Sequence, residues 1–255
     1  MMTIPVAILS ALVSLAVISE AAPVKEFLPI ASKEWSLVRL TIDEKTVPLG
    51  ASKPLPTLTI GLDGKVSGKS AVNRYFGSIV LNGAGDCEWS GGLGATRMAG
   101  PPAAMKLESE VLKALPQTSK VDLTDGVLTL ASADGKLSAV FMSEMLEGKV
   151  VFSKQPKATL APGTEVSVSL QDVSLADAPS QTISTAAIVD AGKFPVTFRL
   201  PYSKGLIKPG RTYTLSARIE LAGKLLYIND TAHPVFQNGN APKGPMDLKV
   251  IAVNK

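Results

Sequence analysis

The sequence predicts a mainly β protein in two parts: an N-terminal curved, barrel-like antiparallel sheet with one helix, then a C-terminal antiparallel β-sandwich. Three observations point there. Apolar residues alternate with polar ones in short runs, the two-residue period of a half-buried strand. Asp-Gly, Pro-Gly and Ala-Gly pairs punctuate those runs and supply the positive φ of tight turns. The chain has 21 Gly, 18 Pro and 19% charged residues in 255, and one stretch with the 3.6-residue period of an amphipathic helix.

In residues 1–21 an apolar core from Ile4 to Ile18 is followed by small residues at Ser19 and Ala21, with Pro23 just beyond. This pattern predicts a signal peptide cleaved after Ala21 and a periplasmic product. No Lys or Arg precedes the core, so an uncleaved inner-membrane anchor is the alternative. Lipidation needs a cysteine directly after such a core. The single cysteine is Cys87, so neither a lipid anchor nor an intrachain disulfide is expected. The net charge of +4 is scattered without a basic stripe. That argues against nucleic acid and supports at most weak association with an anionic membrane surface.

The first part is expected over 27–143. Leu58, Ile60 and Leu62 alternate into Asp63-Gly64, a strand entering a hairpin. A helix is predicted over 102–115, with Leu107, Val111 and Leu115 on one face and Glu108, Glu110 and Lys113 towards water. Segments 121–123, 127–130 and 136–141, separated by Asp125-Gly126 and Asp134-Gly135, read as a three-stranded meander. Cys87 falls in a Gly-rich stretch beside Trp89. A partly buried, inert thiol is expected, with a reactive exposed one as the alternative.

Residues 67–77 (SGKSAVNRYFG) resemble the signature loop of META (HslJ-like) domains, and 95–99 (ATRMA) ahead of a helix resemble their second signature. The resemblance runs from near Trp35 through the meander. Many members carry cysteines where Val72 and Gly100 stand, and both are absent here, which implies no crosslink and no redox role. Some members add a link to stress response. A phosphate-loop reading of Gly68-Lys69-Ser70 fails because Asp63 occupies the required glycine position. Asn73, Arg74, Tyr75, Thr96 and Arg97 form a candidate recognition patch. On the other reading, Asn73 and Thr96 tie loops through side-chain to backbone bonds while Tyr75 packs.

The second part is expected over 147–255, after a turn-like connection at 145–148. Val166, Val168 and Leu170 alternate, as do Phe194 to Leu200 and Tyr213 to Leu221, which is the pattern of an antiparallel sandwich. Residues 160–179 (LAPGTEVSVSLQDVSLADAP), 198–202 (FRLPY), 213–218 (YTLSAR) and 229–231 (NDT) are similar to the YbaY family, related to the YscW-type pilotin lipoproteins of type III secretion. The resemblance implies a β-sandwich and a role in handling outer-membrane or secreted components, although the lipidated cysteine is missing. Asn229, Asp230 and Thr231 also fit a glycosylation sequon, read as accidental. Asp172 with Asp230 is a candidate Ca²⁺ pair, against a turn-capping alternative.

His233 is the sole histidine and Cys87 the sole thiol. The sequence holds no His-rich metal site, nucleophile elbow or dinucleotide loop. No catalytic residue, cofactor or metal is therefore expected. The leading expectation is a non-catalytic envelope interaction or chaperone-like protein whose partners are envelope or secreted proteins. The alternatives are a glycan or small-polar-ligand module using loops near Tyr75, Trp89 and Asn229, and a hydrolase built on paired carboxylates. Oligomeric state stays open.

Overall fold

The computed structural model describes residues 29–49, 55–82, 85–155, 157–175, 177–236 and 239–253. The expected signal segment 1–21 lies outside them. The first sheet is built from β1 (Glu34–Ile42), β2 (Lys45–Thr46), β3 (Thr57–Ile60), β4 (Lys65–Lys69), β5 (Arg74–Leu81), β6 (Cys87–Trp89), β7 (Gly94–Ala95), β8 (Lys120–Thr124), β9 (Val127–Ala131) and β10 (Leu137–Met142). Its antiparallel order is β6-β5-β4-β3-β1-β10-β9-β8. An isolated bridge between Asp86 and Lys120, with Cys87 N–H on the Ser119 carbonyl at 2.8 Å, brings the two ends together and curls the sheet towards a barrel.

The turns follow from the sequence. Asp125 and Gly126, the two residues between β8 and β9, have φ +51° and +72°, the left-handed geometry that a two-residue hairpin loop requires, and Gly64 (φ +75°) closes the longer turn between β3 and β4. Helix α1 (Pro102–Ala114) starts with Pro at a position whose N–H has no helical partner, and a 3-10 turn continues from Leu115 to Gln117. Leu107 and Val111 of the helix and Leu115 of the 3-10 turn join Trp35, Leu58, Ile60, Tyr75, Leu130 and Phe141 in one core. Two expectations fail here. Leu62 lies beyond the end of β3 and is exposed, and Glu108 is buried at 6% exposure rather than facing water.

The second sheet contains β11 (Glu144–Phe152), β12 (Thr164–Asp172), β13 (Gln181–Val189), β14 (Val196–Tyr202), β15 (Tyr213–Leu221), β16 (Lys224–Ile228), β17 (His233–Val235) and β18 (Met246–Ala252). The order is β13-β12-β15-β16-β18-β11-β14, with β17 also on β15. The mainly β class holds throughout. The layers of the second part come from one continuous curled sheet, in which β11 and β18 run parallel. Residues 145–148 are not a turn: they lie inside β11. A Cβ on Gly148 would stand 2.3 Å from the Met246 carbonyl and 2.7 Å from the Phe198 ring, so the glycine is required by close packing inside a strand.

Candidate functional site

Helix α1 carries the Glu108 carboxylate under the loop before β5. Oε2 accepts from Ser70 Oγ (2.9 Å), Val72 N (3.1 Å) and Asn73 N (2.7 Å), and Oε1 accepts from Asn73 Nδ2 (2.8 Å). Burial acts to raise the Glu108 pKa, but the donors of Asn73, Ser70 and Val72 outweigh it and hold the carboxyl below its ordinary value. Asn73 then reaches the second signature: Nδ2 donates to the Met98 carbonyl (2.9 Å), and Oδ1 accepts from Met98 N and Thr96 Oγ1, both at 2.7 Å. Sequence reading missed Glu108. A polar helix position reveals nothing of partners in a distant loop.

This network sorts the first candidate patch. Asn73 and Tyr75 are each 1% exposed, so neither belongs to an exposed surface, and Tyr75 Oη donates to the Thr57 carbonyl at 2.8 Å. Arg74, Thr96 and Arg97 are exposed, and Thr96 Oγ1 also accepts from Arg74 N at 3.2 Å. Val72 and Gly100 are neighbours. A Cβ on Gly100 would lie 2.5 Å from Val72 Cγ2.

The outer faces of β1, β3, β4 and β5 stand opposite β13 and β14 across a cleft of about 1120 Å³. Arg39, Lys69, Arg74 and Arg199 border it against a single acid, Glu34. Arg199 is paired with Glu147 at 2.8 Å, whereas Arg39, Lys69 and Arg74 make no ion pair among the described residues. The sheets also touch directly. Ser203 Oγ donates to the Asp125 carbonyl in the β8–β9 turn, and Lys208 Nζ reaches Asp125 Oδ1 at 2.9 Å.

In the second sheet Asp172 accepts from Ser174 N (2.9 Å) and Ser174 Oγ and faces Arg211 at 3.5 Å. Burial would raise its pKa, but these contacts lower it. Asn229 is spent on backbone: Oδ1 accepts from Ala217 N (2.6 Å), and Nδ2 donates to the carbonyls of Leu215 (3.2 Å) and Thr231 (3.1 Å). It fills the stretch of β15 between its pairings with β16 and β17. Thr231 Oγ1 donates to Asp230 Oδ1 at 3.2 Å. These are turn-tying roles. Among the described residues no three His, Cys, Asp or Glu side chains are placed to share a metal ion.

Cys87 lies in strand β6, not in a loop, and is buried; burial pushes its thiol up to about 11. Trp89 is buried as well, its Nε1 donating to Thr118 Oγ1 at 3.0 Å. With Tyr75 and Trp89 inside the core, the ligand reading loses its two aromatic platforms. Among the described residues every carboxyl whose pKa is shifted (Asp63, Asp86, Glu108, Asp134, Asp172) is shifted downwards. A general acid needs the opposite.

Residues 28–145 match the family model of the META domain, and 142–248 match that described as type III secretion system lipoprotein chaperone (YscW). Over 100 residues the chain is 35% identical to the uncharacterized lipoprotein YbaY of Escherichia coli K12, covering 39% of this chain and 51% of that protein. The chain thus spans about half the length of this curated relative. Among solved structures, an alternative pilotin from the type II secretion system of Vibrio cholerae is 35% identical, covering 44% of this chain and 98% of that one, at TM-score 0.40. A protein from Burkholderia xenovorans is 24% identical, covering 45% and 83%, at TM-score 0.37.

Proposed function

From a chain that carries a META domain followed by a YscW-type domain, we propose a non-catalytic, chaperone-like protein of the bacterial envelope that is exported to the periplasm and holds outer-membrane or secreted proteins. The domains are proposed at about 27–143 and 147–255, the second extended back to Glu144 by β11. The description of the YscW family as a lipoprotein chaperone supports this reading, as does the lipoprotein name of the YbaY relative. The observation that carries it to a surface is the cleft between the two sheets, with Arg39, Lys69 and Arg74 along one wall making no ion pair among the described residues. Among the described residues no helix is long and apolar enough to cross a membrane.

The test is in-cell photocrosslinking of the full-length protein with a photoreactive residue at Thr59 or Thr197, one on each wall, and at exposed Lys224 as an outlying control. Capture of one identified outer-membrane or secreted protein from both walls and not from Lys224 is expected. Absence of any envelope protein at both wall positions overturns the proposal.

A further inference from the structure

The free edge of β13 borders the same cleft. Strand β13 ends the sheet order and pairs with β12 alone, and although β14 follows it in the chain and lies beside it, no ladder joins the two among the described residues. Their link is one side-chain bond, Ser184 Oγ to the Pro201 carbonyl at 2.6 Å. Thr185, Ala186, Ala187 and Ile188 all line the cleft. Side chains of successive strand residues point to opposite faces, so four consecutive lining residues mean that the cleft meets the backbone edge itself.

The direction of the edge groups follows from the ladder. Asp190 N–H bonds the Thr164 carbonyl at 3.1 Å, next to the Val189–Glu165 pair. Hydrogen-bonded and non-bonded pairs alternate in an antiparallel ladder, so Ile188 and Ala186 exchange bonds with β12 while the N–H and C=O of Thr185, Ala187 and Val189 point off the free edge. Natural edges are usually blunted by lysine or proline. The β13 sequence, QTISTAAIV, contains neither, and its small side chains allow close approach of another backbone.

We infer that the cleft takes an extended acidic polypeptide segment, added as a strand along β13. Only a polypeptide offers the N–H and C=O ladder that this edge demands. The sign of the segment is set by the opposite wall, where among the described residues Arg39, Lys69 and Arg74 make no ion pair and Glu34 is the one acid. A segment of about five or six residues, the common strand length, matches the edge. The inference rests on the envelope-chaperone reading and names the chemistry of what is held.

The experiment uses the full-length protein and a labelled eight-residue peptide alternating aspartate with valine or threonine. Saturable binding by fluorescence anisotropy is expected, with slowed hydrogen exchange at the amides of Thr185, Ala187 and Val189. Methylation of alternate peptide nitrogens, or the combined Arg39→Glu, Lys69→Glu and Arg74→Glu substitution with an unchanged melting curve, is each expected to weaken binding about tenfold or more. The inference is overturned if the lysine counterpart or the N-methylated peptide binds as tightly, or if dextran sulfate protects the same amides. Should the photocrosslinks capture an envelope protein while the peptide leaves those amides unprotected, the envelope reading stands and this inference falls.

Discussion

Glu108 and Asn73, 35 positions apart, are joined twice: the Asn73 backbone N–H donates to Oε2 at 2.7 Å and the Asn73 amide to Oε1 at 2.8 Å. The same asparagine binds Met98 and Thr96, so one side chain connects helix α1 with both signature loops.

Removing the carboxylate strands buried donors. Glu108→Ala leaves Val72 N and Asn73 N without this acceptor, while Ser70 Oγ keeps the Asn73 carbonyl at 3.0 Å, and each unsatisfied buried group costs about 1–3 kcal/mol. Urea unfolding is expected to show a loss of about 2–6 kcal/mol, the sum for those two donors. A loss below about 1 kcal/mol would mean that water replaces the carboxylate at little cost.

Acid should attack the same point. The folded-state pKa of Glu108 lies below its ordinary 4.5, so its stabilisation is complete above that value and is lost as pH falls through the folded value. His233 adds an earlier, smaller loss. Burial lowers its pKa from 6.5, so the folded state resists protonation and stability declines as pH drops below 6.5. Stability profiles against pH of Glu108→Gln and His233→Gln should each lack the corresponding segment. A Glu108→Gln profile parallel to that of the parent protein below pH 4.5 would remove the carboxylate from the account.

Val72 and Gly100 occupy touching positions, and Gly100 has no positive φ that would bar a side chain. The double variant Val72→Cys, Gly100→Cys is expected to close a disulfide under mild oxidation and to gain about 2–4 kcal/mol. Two thiols that both remain titratable after oxidation would contradict this placement.

The docking of the two sheets is steric more than ionic. A Cβ on Gly205 would meet the Asp125 carbonyl oxygen at 2.0 Å, so Gly205→Ala should push the β8–β9 turn away from the second sheet. Small-angle scattering should then report a larger radius of gyration with unchanged circular dichroism. Lys208→Ala removes only an exposed ion pair to Asp125 and should change stability by less than about 1 kcal/mol.

Much of this fold was legible, because hairpin chemistry and period are local. Asp125-Gly126 announced its turn, and Leu107, Val111 and Leu115 announced the buried face of α1. What escaped depends on distant partners. Glu108 is polar by type and buried by contact, and Gly148 is a turn signal by type and a strand residue because Phe198 and Met246 crowd it. The parallel register of β11 with β18 pairs segments about a hundred residues apart, and no local pattern encodes it. The cleft exists only once two sheets are placed side by side, so its basic residues read as scattered charges in the sequence.

Strand β10 ends at Met142 and β11 begins at Glu144, leaving Ser143 alone between the two sheets. A tether one residue long allows almost no independent tumbling. A segment caught on one wall is therefore presented to the other as a near-unimolecular event, where short flexible linkers already give effective concentrations on the order of millimolar. Two weak contacts on such a frame act as one avid grip, and lengthening the tether at Ser143 would loosen that grip without altering either surface.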